Sequence, residues 1–219
     1  MNFIHCPVPE IQCEKITLED GTRYYVTPEK NKYPSITTML GHFSKKGIME
    51  WRNRVGAEEA NRISRAAASR GTKLHTIIEK YIGNEDMNIT EPFQLELFKS
   101  IMPYLDYINN IRLQEKYLYS NHLRLAGTVD CIAEYQNKLS VIDFKTSSRQ
   151  KRESQIEDYF LQATAYAIMF EERYKIPVSR LVIIIAVEND YPQVFRQKRD
   201  NYAKRLLELR DLYENSSQN

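Results

Sequence analysis

The run Leu181-Val-Ile-Ile-Ile-Ala-Val187 is almost wholly apolar, which marks a strand buried on both faces. Such a strand needs cover above and below, and the surrounding sequence supplies it. Ile156 to Tyr174 reads as a helix. Residues 197–213 read as a closing amphipathic helix with Tyr202, Leu206, Leu209 and Tyr213 on its apolar side. Upstream lies a strand-rich block: Glu115 to Tyr119, Leu123 to Tyr135 and Leu139 to Thr146, with Gln136-Asn137-Lys138 closing a hairpin. Two helices, three strands, then helix, strand and helix predict one α/β domain with a central mixed β-sheet flanked by helices.

The N-terminal half fills in the helical layer. Asp20-Gly21 predicts a hairpin over residues 13–27. Tyr33 to Thr38 is extended and runs into a helix, with Pro34 disfavouring helix before it and Ser35 or Thr37 as the cap. Ser44 to Ser69 reads as one or two helices broken near Gly47 or Gly56, and Arg70-Gly-Thr72 as punctuation. Lys73 to Ile82 is then a short helix with Leu74, Ile77, Ile78, Tyr81 and Ile82 on one face, ended by Gly83-Asn84. A further helix is predicted from Pro92 to Asn110, burying Phe93, Leu97, Ile101, Leu105 and Ile108, with a kink at Pro103. Glu214 to Asn219 reads as a frayed polar tail. The organisation is therefore an N-terminal hairpin and helices over 1–72, a catalytic core over 73–190 and a C-terminal helix over 195–214, without internal repeats.

With 219 residues, 42% of them hydrophobic and 11% aromatic, the chain can bury one sizeable core and is not broadly disordered. The net charge is only +2. Ser44 to Lys73 nevertheless carries eight Lys/Arg against three Glu, and Lys145 to Arg152 has four basic residues and no acidic one. Such segments beside an acidic site let a near-neutral protein hold a polyanion along a groove; they serve equally well as solvated helix faces. Cys6, Cys13 and Cys131, with no CxxC pair, argue against a disulfide framework or cysteine-rich zinc site and cannot supply the four ligands of an iron–sulfur cluster. No stretch approaches the roughly 18 apolar residues of a membrane span, and no basic-then-apolar signal pattern opens the chain. The expected setting is soluble, reducing and intracellular: the cytoplasm of a bacterium or phage-infected host, or an organelle matrix.

Chemistry concentrates in Gly127-Thr-Val-Asp130 and Val141-Ile-Asp-Phe-Lys145. Alternation along the second strand puts Asp143 and Lys145 on one face and Ile142 and Phe144 on the other. Phe144 anchors the strand, leaving its carbonyl between the two polar side chains as a hard oxygen ligand. Asp143 suits Mg²⁺ or Mn²⁺, Lys145 can contact a phosphate or hold the nucleophilic water, and Asp130 on the partner strand supplies a second carboxylate. Such a trio can hold a divalent metal against a phosphodiester and activate water. On a surface strand, Asp143 and Lys145 would be a simple ion pair. In a central strand, buried charge needs a reason. His75 and Glu79 stand four apart on one helix face, where both reach one metal or its water, or else bond each other at a semi-exposed edge. Gln162 and Tyr166 share a face of the later helix, Tyr159 lies one turn earlier, and Ala163, Ala165 and Ala167 permit a close approach.

In this order and spacing, His75 and Glu79, Gly127-Thr-Val-Asp130, Asp143-Phe-Lys145 and Gln162-Ala-Thr-Ala-Tyr166 resemble the RecB-like branch of the PD-(D/E)xK nuclease superfamily. Within the branch the chain looks most like the mitochondrial genome maintenance exonucleases and their phage and bacterial relatives. That likeness extends to Tyr33-Pro-Ser-Ile-Thr-Thr-Met-Leu40, Arg70-Gly-Thr-Lys-Leu-His75 and the run from Leu125 to Ser147, and covers residues 33–187. It implies a PD-(D/E)xK core and a metal-dependent DNA exonuclease acting on single strands or strand ends, in replication, recombination or repair. Carried over, His75, Asp130, Asp143 and the Phe144 carbonyl bind Mg or Mn. Glu79 acts directly or through water, and Lys145 positions or activates the nucleophile. Gln162 and Tyr166 orient DNA, with Arg70, Lys73 and Arg149 as basic contacts. Several RecB-like relatives carry a four-cysteine iron–sulfur cluster, which this chain cannot. Two rival readings share the fold: a non-catalytic nucleic-acid-binding or assembly protein, and an RNA endonuclease.

Overall fold

Asp20-Gly21 turns the chain between strands β1 (Glu14–Thr17) and β2 (Arg23–Val26), with Gly21 at φ +84°, where glycine meets no steric penalty. The computed structural model describes residues 2–217. Strand β3 (Lys32–Pro34) completes a small antiparallel sheet. Ser35 caps helix α1 (Ile36–Val55), its hydroxyl accepting from the Thr38 N–H. Gly56, at φ +88°, separates α1 from α2 (Ala57–Ile82), whereas Gly47 lies within α1. The predicted stop at Arg70-Gly-Thr72 is absent, and α2 runs straight through it. One interior glycine costs only about 1 kcal/mol relative to alanine, and the buried stripe Ala60, Leu74, Ile78 and Ile82 outweighs that.

Helix α3 (Pro92–Leu105) contains Pro103 and ends before the predicted Asn110. Ile108 to Asn110 instead open strand β4 (Ile108–Ser120). Leu97, Ile101 and Leu105 are buried, but Phe93 in the first turn is 40% exposed, contrary to expectation. Strands β5 (Leu125–Tyr135) and β6 (Lys138–Ser147) form the predicted hairpin. Gln136 and Asn137 both take positive φ at its turn, matching the right-handed strand twist. Helix α4 (Glu157–Tyr174) leads to β7 (Arg180–Val187), which runs parallel to β6. Strand β8 (Gln193–Lys198) adds an antiparallel edge, so the closing helix α5 starts at Asp200 rather than 195 or 197. It continues to Ser217, making 214–217 helical rather than frayed; residues 218–219 lie outside those described.

The main sheet has the order β4-β5-β6-β7-β8 among the described residues, the mixed sheet between helices that the pattern predicts. Leu181 to Val187 is buried throughout. Leu181, Ile183, Ile185 and Val187 face a core shared with Phe160, Phe170, Leu206 and Leu209 of α4 and α5. Val182, Ile184 and Ala186 face another, shared with Leu74, Ile78, Leu97 and Ile101 of α2 and α3. No described helix is long and apolar enough to cross a membrane.

Candidate active site

The β5–β6 hairpin is paired from its turn, Tyr135↔Lys138, as far as Cys131↔Ile142. Beyond that point β6 continues beside β7 to Ser147. At the split, the Phe144 N–H donates to Asp130 Oδ2 at 2.9 Å instead of to a strand carbonyl. A buried N–H needs a partner, so this carboxylate is fixed by the fold itself. The side-chain phase also slips here: Val129 and Ile132 both face α4, while Cys131 faces the opposite core. Across on β4, Glu115 stands between the pairs Gln114↔Cys131 and Lys116↔Val129, opposite Asp130. Its φ of +49° is a conformation costing a non-glycine residue roughly 1–2 kcal/mol.

Helix α2 brings the histidine. Leu74 and Ile78 are buried against the sheet, which leaves His75 at the rim of the split. Its Nε2 lies 2.7 Å from the Phe144 carbonyl. A carbonyl can only accept, so Nε2 carries the proton and donates. Nδ1 is left facing Glu115 Oε1 at 3.6 Å and Asp130 Oδ2 at 3.8 Å. The Phe144 carbonyl, expected as a metal ligand, also accepts this bond with one of its two lone pairs and so orients His75. Burial works against a charged imidazole, but the Glu115 and Asp130 carboxylates outweigh it and lift the His75 pKa to about 9.

Asp143 and Lys145 form the adjoining pair. Lys145 Nζ sits 2.5 Å from Asp143 Oδ2, yet neither Asp143 oxygen has an aligned hydrogen-bond donor among the described residues. The contact is a close ion pair rather than a well-formed hydrogen bond, leaving acceptor capacity on a buried carboxylate. Burial raises the Asp143 pKa to about 6, against the pull of Lys145 and with help from the Asp130 charge. Burial likewise raises that of Asp130. Lys145 is depressed by burial, but Asp143 and Asp130 more than compensate, so its pKa is raised. The ammonium also lies 5.2 Å from the centre of the Tyr159 ring.

The donor set suits a divalent ion. One donor atom each from His75, Glu115 and Asp130 lie within 4.8 Å of one another. Two ligands of one Mg²⁺ or Mn²⁺ at about 2.0–2.1 Å stand at most about 4.2 Å apart, so small side-chain shifts gather all three. Glu115 escapes the sequence reading, because its only signal is its position across from Asp130, visible once the strand register is known.

The other predicted residues are placed as follows. Glu79 is exposed and its carboxylate is not in the trio; its backbone carbonyl accepts from Gln114 Nε2 at 2.6 Å. Burial and then Glu115 raise its pKa. Gln162 and Tyr166 are buried. Tyr166 lies so close to Gly127 that a Cβ there would stand 2.6 Å from the phenol oxygen. The glycine of G-x-x-D and the tyrosine of Q-x-x-x-Y are thus two halves of one contact holding β5 to α4. Arg70 is ion-paired with Glu188, and Lys73 with Glu91 at 2.6 Å. Arg149 is exposed in the loop after β6.

The family model of the PD-(D/E)XK nuclease superfamily matches residues 50–215, a span holding the trio and the Asp143–Lys145 pair. The chain belongs to the PD-(D/E)XK nuclease superfamily. Mitochondrial genome maintenance exonuclease 1 of Homo sapiens is 26% identical to this PD-(D/E)XK protein over 181 residues, covering 75% of this chain and 52% of that one. The Xenopus tropicalis protein of the same name is 29% identical over 160 residues, covering 70% and 44%. The chain spans about half the length of these relatives. A crystal structure from Eubacterium rectale is similar at a TM-score of 0.48, with 12% identity over 67% of this chain and 64% of that one. Strands β1–β3 precede the span matched by the family model.

Proposed function

We propose that this PD-(D/E)XK protein is a metal-dependent deoxyribonuclease of the exonuclease type, acting on single-stranded DNA or strand ends in replication, recombination or repair. The observation that carries the reading is the split in the β5–β6 hairpin, where His75, Glu115 and Asp130 converge beside the Asp143–Lys145 pair. His75 Nδ1, Glu115 and Asp130 would hold Mg²⁺ or Mn²⁺, with Asp143 as the adjacent carboxylate. When bound, such an ion lowers the pKa of a water molecule and offsets charge on a phosphodiester.

The protein's own residues do the rest. Phe144 O fixes the tautomer and the direction of His75, as outer partners of metal-binding histidines commonly do. Asp143 and the Tyr159 ring hold the Lys145 ammonium in place, from where its charge would offset that of the attacked phosphate at its most negative. The Tyr166–Gly127 contact keeps β5, and with it Asp130, in register.

The test is cleavage of an end-labelled single-stranded DNA with Mg²⁺ or Mn²⁺, alongside RNA of matched sequence. Lys145→Ala and Asp143→Ala are expected to abolish cleavage; undiminished activity in either sinks the assignment. Faster cleavage of RNA selects the RNA endonuclease reading, and DNA binding without metal-dependent cleavage selects the binding-protein reading.

A further inference from the structure

We infer that the groove between the β1–β3 sheet and α5 is a track for single-stranded nucleic acid leading away from the active site. The inference rests on the nuclease reading for its direction, but the groove is built of different residues. Two hollows of about 270 and 300 Å³ adjoin at Tyr24 and Tyr213, which line both of them. Tyr33, Lys32 and Arg124 line one end of this furrow, and Lys45 on α1 lines the other. Among the described residues, five basic side chains line the furrow against two acidic ones. Glu214 pairs with two of those five, Arg124 and Arg210, and the Thr22 N–H donates to Asp20.

The lining chemistry fits a polyanion with flat bases. Tyr24 offers a ring face with the Lys32 ammonium 4.5 Å from its centre; the lysine can swing to a phosphate as a base takes the ring. Aromatic rings interleaved with basic side chains are the usual platform for single strands without sequence preference.

The furrow also borders elements that reach the active site. Lys45 at its end adjoins Ser44, whose hydroxyl donates to Asp158 Oδ2 at 3.3 Å. The next residue, Tyr159, carries the ring against Lys145. On the other face of β2, the Tyr25 hydroxyl meets Thr128 Oγ1 at 3.2 Å, two residues before Asp130. The sheet that presents Tyr24 is therefore fastened to β5 beside the active site.

The experiment compares the full chain with Tyr24→Ala and with the double variant Lys32→Glu/Arg124→Glu, on single-stranded DNA of about 6 and about 30 nucleotides. The variants should raise KM for the long strand about tenfold while leaving kcat on both strands and KM on the short strand unchanged. Retained short-strand activity also shows that the variants fold. No change on the long strand, or an equal loss on both, overturns the track. Binding of the same long strand without metal, followed by fluorescence anisotropy, separates the two readings. If the unmodified protein cleaves neither strand, the nuclease reading fails. The track then stands if the variants lose about tenfold in affinity, and falls if their affinity is unchanged.

Discussion

The two ends of the β5–β6 hairpin make opposite use of the same strands. Near the turn, five residue pairs from Tyr135↔Lys138 to Cys131↔Ile142 form an ordinary ladder, and Ile132, Ala133, Val141 and Ile142 fill the two cores. At the other end the ladder stops, a carboxylate takes over a backbone hydrogen bond, and an imidazole, three carboxylates and an ammonium crowd the gap. The closed end shows what the sheet does when stability alone governs it. The open end shows strained and charged groups held where a phosphodiester could enter, the usual location of such strain.

Asp130→Ala should produce the largest combined effect on activity and stability, because Asp130 serves both the trio and the Phe144 N–H. Nuclease activity should fall by about 10³ or more, and the loss of a buried acceptor should cost about 1–3 kcal/mol. Urea denaturation measures the second and single-turnover cleavage the first. Loss of activity with unchanged stability would show that the Phe144 N–H finds another partner, and that the split is not held by this side chain.

Glu115→Gln comes next. It keeps the size and removes the charge opposite Asp130. Metal affinity, read by calorimetry with Mn²⁺, should weaken about 10–100-fold, with little effect on folding. Unaltered affinity would remove Glu115 from the trio and leave its positive φ unexplained.

Much of this contrast is legible in the sequence, for identifiable reasons. The closed end and β7 announce themselves through apolar runs and the turn after Tyr135. Asp143 and Lys145 stand out because charge interrupts a core strand. His75 beside the Leu74–Ile78–Ile82 stripe reads equally as a helix edge, and its role is legible only through the ordered set of motifs shared with the PD-(D/E)xK family. Glu115 is silent because strand pairing, not its neighbours in the chain, puts it opposite Asp130. Strand β8 is missed because the short, half-exposed Gln193–Lys198 segment runs into the pattern of α5. The continuity of α2 is missed because a single glycine weighs less than tertiary burial.

Gly127→Ala tests what holds the open end from behind. The added methyl meets the Tyr166 phenol at 2.6 Å and its ring carbon at 2.9 Å, and Tyr166 is buried, so it cannot swing clear. Overpacking of this kind costs about 1–3 kcal/mol. Because Gly127 lies three residues from Asp130, kcat should fall as well. Adding Tyr166→Phe should recover part of the stability by removing the oxygen nearest the methyl. A fully stable, fully active Gly127→Ala protein would mean that β5 is positioned by its strand neighbours alone.

The smallest effect belongs to the closed end. Gln136 sits at φ +52° in the hairpin turn, a conformation that costs an ordinary residue about 1–2 kcal/mol and glycine very little. Gln136→Gly relieves that strain but gives the unfolded chain more freedom, worth about 0.4–1 kcal/mol in the other direction. It also removes an exposed 3.3 Å contact from Arg180, which contributes little. The net gain should be about 0.5–1 kcal/mol, a rise in Tm of roughly 1–4 °C for a chain of this size. Sites this far apart along a strand, sharing no partners, normally act additively, so kcat and metal affinity should stay unchanged. A change in cleavage rate that tracks the rise in Tm would show that the two ends are mechanically coupled through β5 and β6, and that the open end gains its geometry from the ladder rather than from Asp130.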